Sequence, residues 1–280
     1  MGRPKTIQIF LPDGSPQGLK VAEITNRIIY AVQIPRAKLD EASKRDETKR
    51  VGVYFLFGHD KDEAKPLVYI GEAENCLDRI KQHNQQKDFW TLAVCIVAKT
   101  DDFTKTHGKF LEHYCLEKAK EIARYKPVNS VQPKKPHVTE VMEADLMESF
   151  DTIKILLSTL GHPIFEPTSS SKNQRLFFLK RKNANAVGEY IDDGFVVKAG
   201  SQANIDETPS NSGSNRLLRK KLVEGGILKE VEGVYVFTAD YVFNYPSGAS
   251  DVVLGASSNG WTEWKNKQGQ TLDEIIRKKK

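Results

Sequence analysis

The sequence predicts an α+β protein in two parts, and three observations carry that reading. First, short runs of β-branched and aromatic residues alternate with longer stretches of helical apolar spacing over the first 165 residues or so. Second, residues 166–175 are rich in Ser, Pro and polar residues and have the composition of a linker. Third, 280 residues is room for about two domains at ~150 residues each.

Taken in order, Thr6 to Leu11 reads as a strand, and Pro12-Asp13-Gly14-Ser15-Pro16 as a turn by its chemistry. Residues 19–34 alternate loosely and give one or two further strands. The charged, aperiodic stretch 36–50 reads as a short helix or connector. Together residues 1–49 make an N-terminal β-rich arm. Val51 to Phe57 is dense in β-branched and aromatic residues and is a strand. Pro66 to Gly71 is a second strand, hairpin-related to the first through a polar loop. Residues 75–86 read as a helix capped by Asn75, with Leu77 and Ile80 on its buried stripe. Thr91 to Ala98 is a third strand. Residues 104–125 are a long helix that Lys126-Pro127 stops. Residues 133–165 form a helical connector, with an amphipathic helix at 139–160. Beyond the linker, 176–280 makes a second small α+β domain. It has strands near Phe177–Lys180, 194–199 and 233–237, a polar loop at 204–215 and a basic helix at 214–224.

Composition narrows the classes. Hydrophobic residues at 39% and charged residues at 28% exclude a wholly disordered chain. No run approaches the ~20 apolar residues of a membrane helix, and Met1 to Phe10 lacks the apolar core of a secretory signal. Cys76, Cys95 and Cys115 form no CxxC pair, which argues against a zinc knuckle or disulfide framework and for the cytoplasm. Net charge is +5, with +4 in residues 1–50, −1 in 51–175 and +2 in the remainder. That pattern is compatible with nucleic-acid binding and too mild to establish it.

The chemistry-bearing residues cluster in 50–132. Strand alternation puts Gly52, Tyr54 and Leu56 on one face, and Leu67, Tyr69 and Gly71 share a face of the next strand. Pairing of the two strands sets Tyr54 and Tyr69 on one surface, with glycines leaving room for a close approach. Asn75, Arg79 and His83 are spaced i, i+4, i+8 along one helical stripe. Glu112 lies midway along the long helix, and Asn129 follows Pro127. Each has an ordinary structural reading when taken singly: packed strand tyrosines, a solvated arginine, a surface glutamate.

Gly52-Val53-Tyr54, Tyr69-Ile70-Gly71, Arg79, Glu112 and Asn129, in this order and context, resemble the GIY-YIG nuclease family. Only Val53 departs from the first motif, a conservative swap in a strand. The resemblance covers about residues 50–132. It implies a small three-stranded antiparallel sheet flanked by helices, and a divalent-metal-dependent endonuclease using one Mg²⁺ or Mn²⁺. Glu112 would be the sole protein ligand, and Mg²⁺ does keep several waters when it binds one or two carboxylates. Arg79 would stabilise the charge that builds on the phosphoryl oxygens. Tyr54, its pKa lowered by the metal and nearby cations, would activate the attacking water. Tyr69 would orient water or phosphate, His83 would share the proton transfer or bind phosphate, and Asn129 would hold the site by hydrogen bonds. Lys65, ahead of the second strand, is a further candidate for phosphate. Family association favours DNA over RNA as the substrate, the residue chemistry admits either, and a restriction-type role would favour a homodimer. The rival reading is a non-cleaving nucleic-acid-binding module using the same surface; a protein-interaction adaptor is a third.

Gly194 to Ser201, Phe243, Pro246-Ser247, Ala249, Leu254-Gly255 and Asn259 to Trp264 resemble a C-terminal domain of unassigned function often appended to such nucleases, over roughly 176–276. Its basic helix, with Arg216, Arg219, Lys220 and Lys221, is a candidate contact for a DNA backbone. Trp261 and Trp264 are candidates for stacking on unpaired bases, or else core residues.

Overall fold

The computed structural model describes residues 3–60, 63–167, 176–191 and 194–278; from residue 168 onward the expected linker lies outside them. The chain folds as two compact α+β units. One is Met1–Lys61 with Lys65–Glu166, the other Asp62–Ala64 with Pro167–Lys280.

The first unit is built on seven strands: β1 (Ile7–Phe10), β2 (Lys20–Ile24), β3 (Ile29–Pro35), β4 (Gly52–Gly58), β5 (Leu67–Ala73), β6 (Trp90–Ala98) and β7 (Lys126–Pro127). Their spatial order is β1-β2-β3-β6-β4-β5-β7, antiparallel except for the short β5–β7 pair. The antiparallel trio β6-β4-β5 expected from the resemblance forms its centre. Every residue of β4 is buried, because helices cover both faces of the sheet. That is why Gly-Val-Tyr-Phe-Leu-Phe-Gly reads as a continuous apolar run rather than an alternating one.

On one face lie α1 (Leu39–Ala42) and α2 (Cys76–Gln86). Leu39, Ala42, Leu77 and Ile80 pack there against Tyr54, Leu56, Val32 and Cys95. On the other lie α3 (Lys105–Ile122) and α4 (Glu140–Thr159), which bury Phe110, Leu111, Phe150, Ile153 and Leu157 against Val53, Phe55 and Ile70. Burying a side chain of this size contributes ~1.5–3 kcal/mol, so packing rather than intrinsic propensity holds these helices. The caps are local. Asn75 accepts from the Asp78 N–H at the start of α2, and His107 Nδ1 accepts from the Thr104 N–H at the start of α3.

Two expected subdivisions merge. The arm at 1–49 is the outer half of the same sheet, because β3 pairs along the whole length of β6. The connector at 133–165 supplies α4, which packs across β2 and β3 and closes the second core layer. Residues 1–49, 50–132 and 133–165 therefore share one sheet and its two cores.

The second unit has a sheet of β8 (Leu176–Arg181), β9 (Ala184–Ile191), β10 (Gly194–Val197), β11 (Gln202–Ala203), β12 (Leu228–Val231), β13 (Val234–Phe237) and β14 (Tyr241–Phe243). The path is β12-β13-β11-β9-β10-β14, with β8 also paired to β9. The basic helix is α5 (Gly213–Glu224). It is followed by α6 (Pro246–Leu254), α7 (Gly260–Glu263) and α8 (Leu272–Ile276), of which the sequence reading had none. Phe177, Phe195, Phe237, Leu222, Val252 and Trp264 form this unit's core. Gly188 is required there, since a Cβ at that position would lie 2.2 Å from the Phe195 ring. No helix among the described residues is long and apolar enough to cross a membrane.

Candidate active site

Two of the sequence-predicted residues of the first unit, Asn129 and Glu112, lie at the outer edge of β5. Past Val68, where the Val128 N–H donates to the Val68 carbonyl (2.9 Å), the neighbouring main chain leaves the edge. Side chains take its place. Asn129 Oδ1 accepts from the Ile70 N–H (3.1 Å) and Asn129 Nδ2 donates to the Ile70 carbonyl (2.6 Å), so its amide stands in for a peptide group of a longer β7. Two residues on, the Glu72 N–H donates to the Glu112 carboxylate. The edge has no orphaned donor at either position, as a half-buried strand requires.

On the α2 face, the register sets Tyr54 opposite Gly71 and Leu56 opposite Tyr69, so both tyrosines share a surface. Their ring centroids are 6.1 Å apart. Gly71 is obligatory, because a Cβ there would sit 2.3 Å from the Tyr54 hydroxyl oxygen. Tyr54 is 1% exposed and His83 3%. The Tyr54 hydroxyl and His83 Nε2 share a hydrogen bond of 2.9 Å. Burial, then the Arg79 and Lys87 cations, bring His83 down to about 4, so the ring is neutral at neutral pH. A neutral imidazole can accept the phenolic proton.

The expected lowering of Tyr54 invoked a bound cation; the protein's own groups act the other way. Burial and then Tyr69 push its pKa well above the ordinary phenol value, and Arg79 only partly opposes them. Arg79 itself is exposed and donates to Gln82 Oε1 (2.7 Å).

On the opposite face stand Glu72 and Glu112. Burial, then the charge of Glu72, raises Glu112 to about 7, against the pull of the Glu72 N–H, Lys109 and Arg79. Two residues here escaped the sequence reading. Glu72 follows Gly71 directly, and alternation alone puts it on the α3 side. Lys87, four residues beyond His83, has its Nζ 4.9 Å from the centroid of the Tyr69 ring, a cation–π contact. Among the described residues no group of three or more His, Cys, Asp and Glu side chains is placed to hold a metal ion. Two carboxylates with open coordination are nonetheless what a hydrated Mg²⁺ uses.

Other candidates fall away from this site. Lys65 Nζ donates to the Ala123 carbonyl (2.6 Å), tied to the end of α3. His107 is a helix cap, and His113 Nδ1 is bonded to the Pro133 carbonyl oxygen (2.8 Å). In the second unit Arg219 is corrected from surface contact to structural core. It is 2% exposed, donates to the carbonyls of Val252, Asn204 and Ile205 and pairs with Glu207 (2.9 Å). The Arg219–Leu222 spacing of three places it on the inner face of α5, out of reach of a phosphate. Arg216 and Lys220 are exposed, Lys221 half-buried. Arg216 pairs with Glu207 (3.3 Å) and Lys220 with Glu224 (3.6 Å). Trp264 is core, its Nε1–H donating to the Pro246 carbonyl (3.1 Å). Trp261 is partly buried, with the Arg277 guanidinium 3.5 Å from its ring centroid.

Compared with known proteins, residues 177–276 match a family model described as a domain of unknown function (DUF4357). That stretch is about a third of the chain, and the description carries no activity. No curated protein matches the chain, and no solved structure does.

Proposed function

We propose that the first unit is a divalent-metal-dependent phosphodiesterase of the GIY-YIG kind, cutting DNA within the strand. One observation carries the reading: Tyr54, Tyr69 and His83 cluster on one face, and Asn129 braces the strand that holds Tyr69 and Gly71. A core of ordinary packing gives no reason for a buried Tyr–His hydrogen bond on one face and a close carboxylate pair on the other.

The residues present fit the implied cation. Glu112 would hold it, and the cation would offset charge on the phosphoryl oxygens as water attacks phosphorus. The protein's own groups do the rest. Tyr54 takes the proton of the attacking water while passing its own to neutral His83 Nε2, so no free phenolate is needed despite the burial. The new O–P bond forms as the bond to the leaving oxygen breaks. Arg79, exposed at the rim, neutralises the phosphoryl charge through its guanidinium fork. Lys87 adds a cation beside Tyr69. The free, buried cysteines suit a reducing cytoplasm. The second unit would position substrate through the outward cations Arg216 and Lys220, and cutting both strands would call for a homodimer.

The test is cleavage of plasmid, branched and single-stranded DNA, and of RNA, with Mg²⁺, Mn²⁺ or EDTA. Metal-dependent cutting by the wild type, lost in Glu112→Gln and in Tyr54→Phe, is the expected result. Salt-sensitive binding without cutting on every substrate would favour the non-cleaving module instead.

A further inference from the structure

We propose that Glu72 is a second protein ligand to the divalent cation, so that the ion is held at the β5 edge by one carboxylate from the strand and one from α3. The inference rests on the metal-dependent reading above and adds a residue to it.

Three observations carry it. Glu72 Oε2 is buried and has no hydrogen-bond partner. A carboxylate oxygen withdrawn from water without a partner is costly, and a cation is the partner that repays it best.

The second is placement. Gly108 sits one helical turn before Glu112. A Cβ on Gly108 would lie 3.5 Å from Glu72 Cβ and 3.9 Å from Oε2, so Glu72 runs along α3 beside the bare turn. The same helical face then presents Glu112. The Glu72 N–H donates to Glu112, which ties the two residues together at the backbone.

The third is charge. Among the described residues no ion pair joins Glu72 or Glu112 to a cation. Lys105 pairs with Glu74 (3.3 Å), and Arg79 donates to Gln82 (2.7 Å). Lys109 and Arg79 pull on Glu112 without forming an ion pair, and the Glu72 charge is a larger influence than either. Two carboxylates completed by waters suit the small octahedral ions Mg²⁺ and Mn²⁺ better than Ca²⁺, which wants six to eight protein and water oxygens.

The experiment titrates the full chain, without DNA, with Mn²⁺ alone, following the electron paramagnetic resonance signal of the free aquo ion. Thermal unfolding of each variant confirms the fold. Glu72→Gln keeps the shape and removes the charge; it is expected to weaken Mn²⁺ binding about tenfold or more, as Glu112→Gln does. Glu72→Asp keeps the charge but withdraws the oxygens by one methylene, and is expected to weaken binding while sparing the fold. Glu74→Gln, at the exposed neighbour, should bind as the wild type does. Wild-type affinity in Glu72→Gln alongside loss in Glu112→Gln would overturn the role of Glu72 and leave the metal reading standing. Mn²⁺ binding indifferent to both carboxylates would overturn the metal reading and this proposal with it.

Discussion

Glu112→Gln should make the metal-free protein more stable at pH 8 relative to its effect at pH 5. Glu112 is raised from its ordinary value near 4.5 to about 7 by burial and by the charge of Glu72. A carboxyl whose folded pKa is raised favours folding in its protonated form. That contribution is fully present below ~4.5 and is lost as pH climbs through about 7. At ~1.4 kcal/mol for each tenfold change in proton affinity, the full penalty on the ionised form would be ~3 kcal/mol. Glu112 keeps some solvent contact, which screens the interaction and trims the effect to about 1–2 kcal/mol. Gln preserves the acceptor for the Glu72 N–H and carries no charge, so it escapes the penalty. Urea unfolding of both proteins in EDTA, at pH 5 and pH 8, reads the difference directly. The stability gap between variant and wild type should widen by about 1–2 kcal/mol at the higher pH. Saturating Mg²⁺ at pH 8 should close it by stabilising the wild type. A gap that is the same at both pH values, or that narrows at pH 8, would refute the electrostatic account of this carboxylate pair.

Four further outcomes are expected. Gly71→Ala drives a methyl onto the Tyr54 hydroxyl and should cost about 1–3 kcal/mol in denaturant unfolding, with cleavage lost. Asn129→Ala strands the Ile70 N–H and carbonyl at a half-buried edge; about 1–3 kcal/mol should be lost, and hydrogen exchange at Ile70 should accelerate. Arg219→Met leaves the carbonyls of Val252, Asn204 and Ile205 without their donor and strips Glu207 of one of its two arginines, so it should destabilise the chain by about 3–5 kcal/mol. Lys220→Ala, at an exposed ion pair, should stay within about 0.5 kcal/mol, both by calorimetry.

The α+β class and the central strands were readable because period-two alternation and turn chemistry are local signals. Tyr54 and Tyr69 share a face in the structure as their spacing from Gly52 and Gly71 required. Which edge the first three strands would join was not readable, since alternation marks a strand without naming its neighbour. That is why residues 1–49 looked like an arm. The motif pattern ended at Gly71, so Glu72 was passed over although the same alternation assigns it to the α3 side. The burial of Tyr54, the largest influence on it among the protein's own groups, is not legible in the sequence, whereas its charged neighbours are. Arg219 shows the same blindness. In a run of four basic residues the one at helical spacing from Leu222 turned inward, and composition alone could not single it out.

The outer rim of β5 has a consequence for anyone handling this protein. Strand β7 covers only its first two residues, and beyond them Asn129 and Glu112 occupy hydrogen-bonding positions that another chain's backbone would otherwise take. The side chains assigned to function are thus also a guard against β-strand addition. Stripping them to alanine to make an inert control would uncover a template for self-association, and such controls should be judged by light scattering as well as by lost activity. Glutamine at position 112 silences the carboxylate while leaving the guard in place.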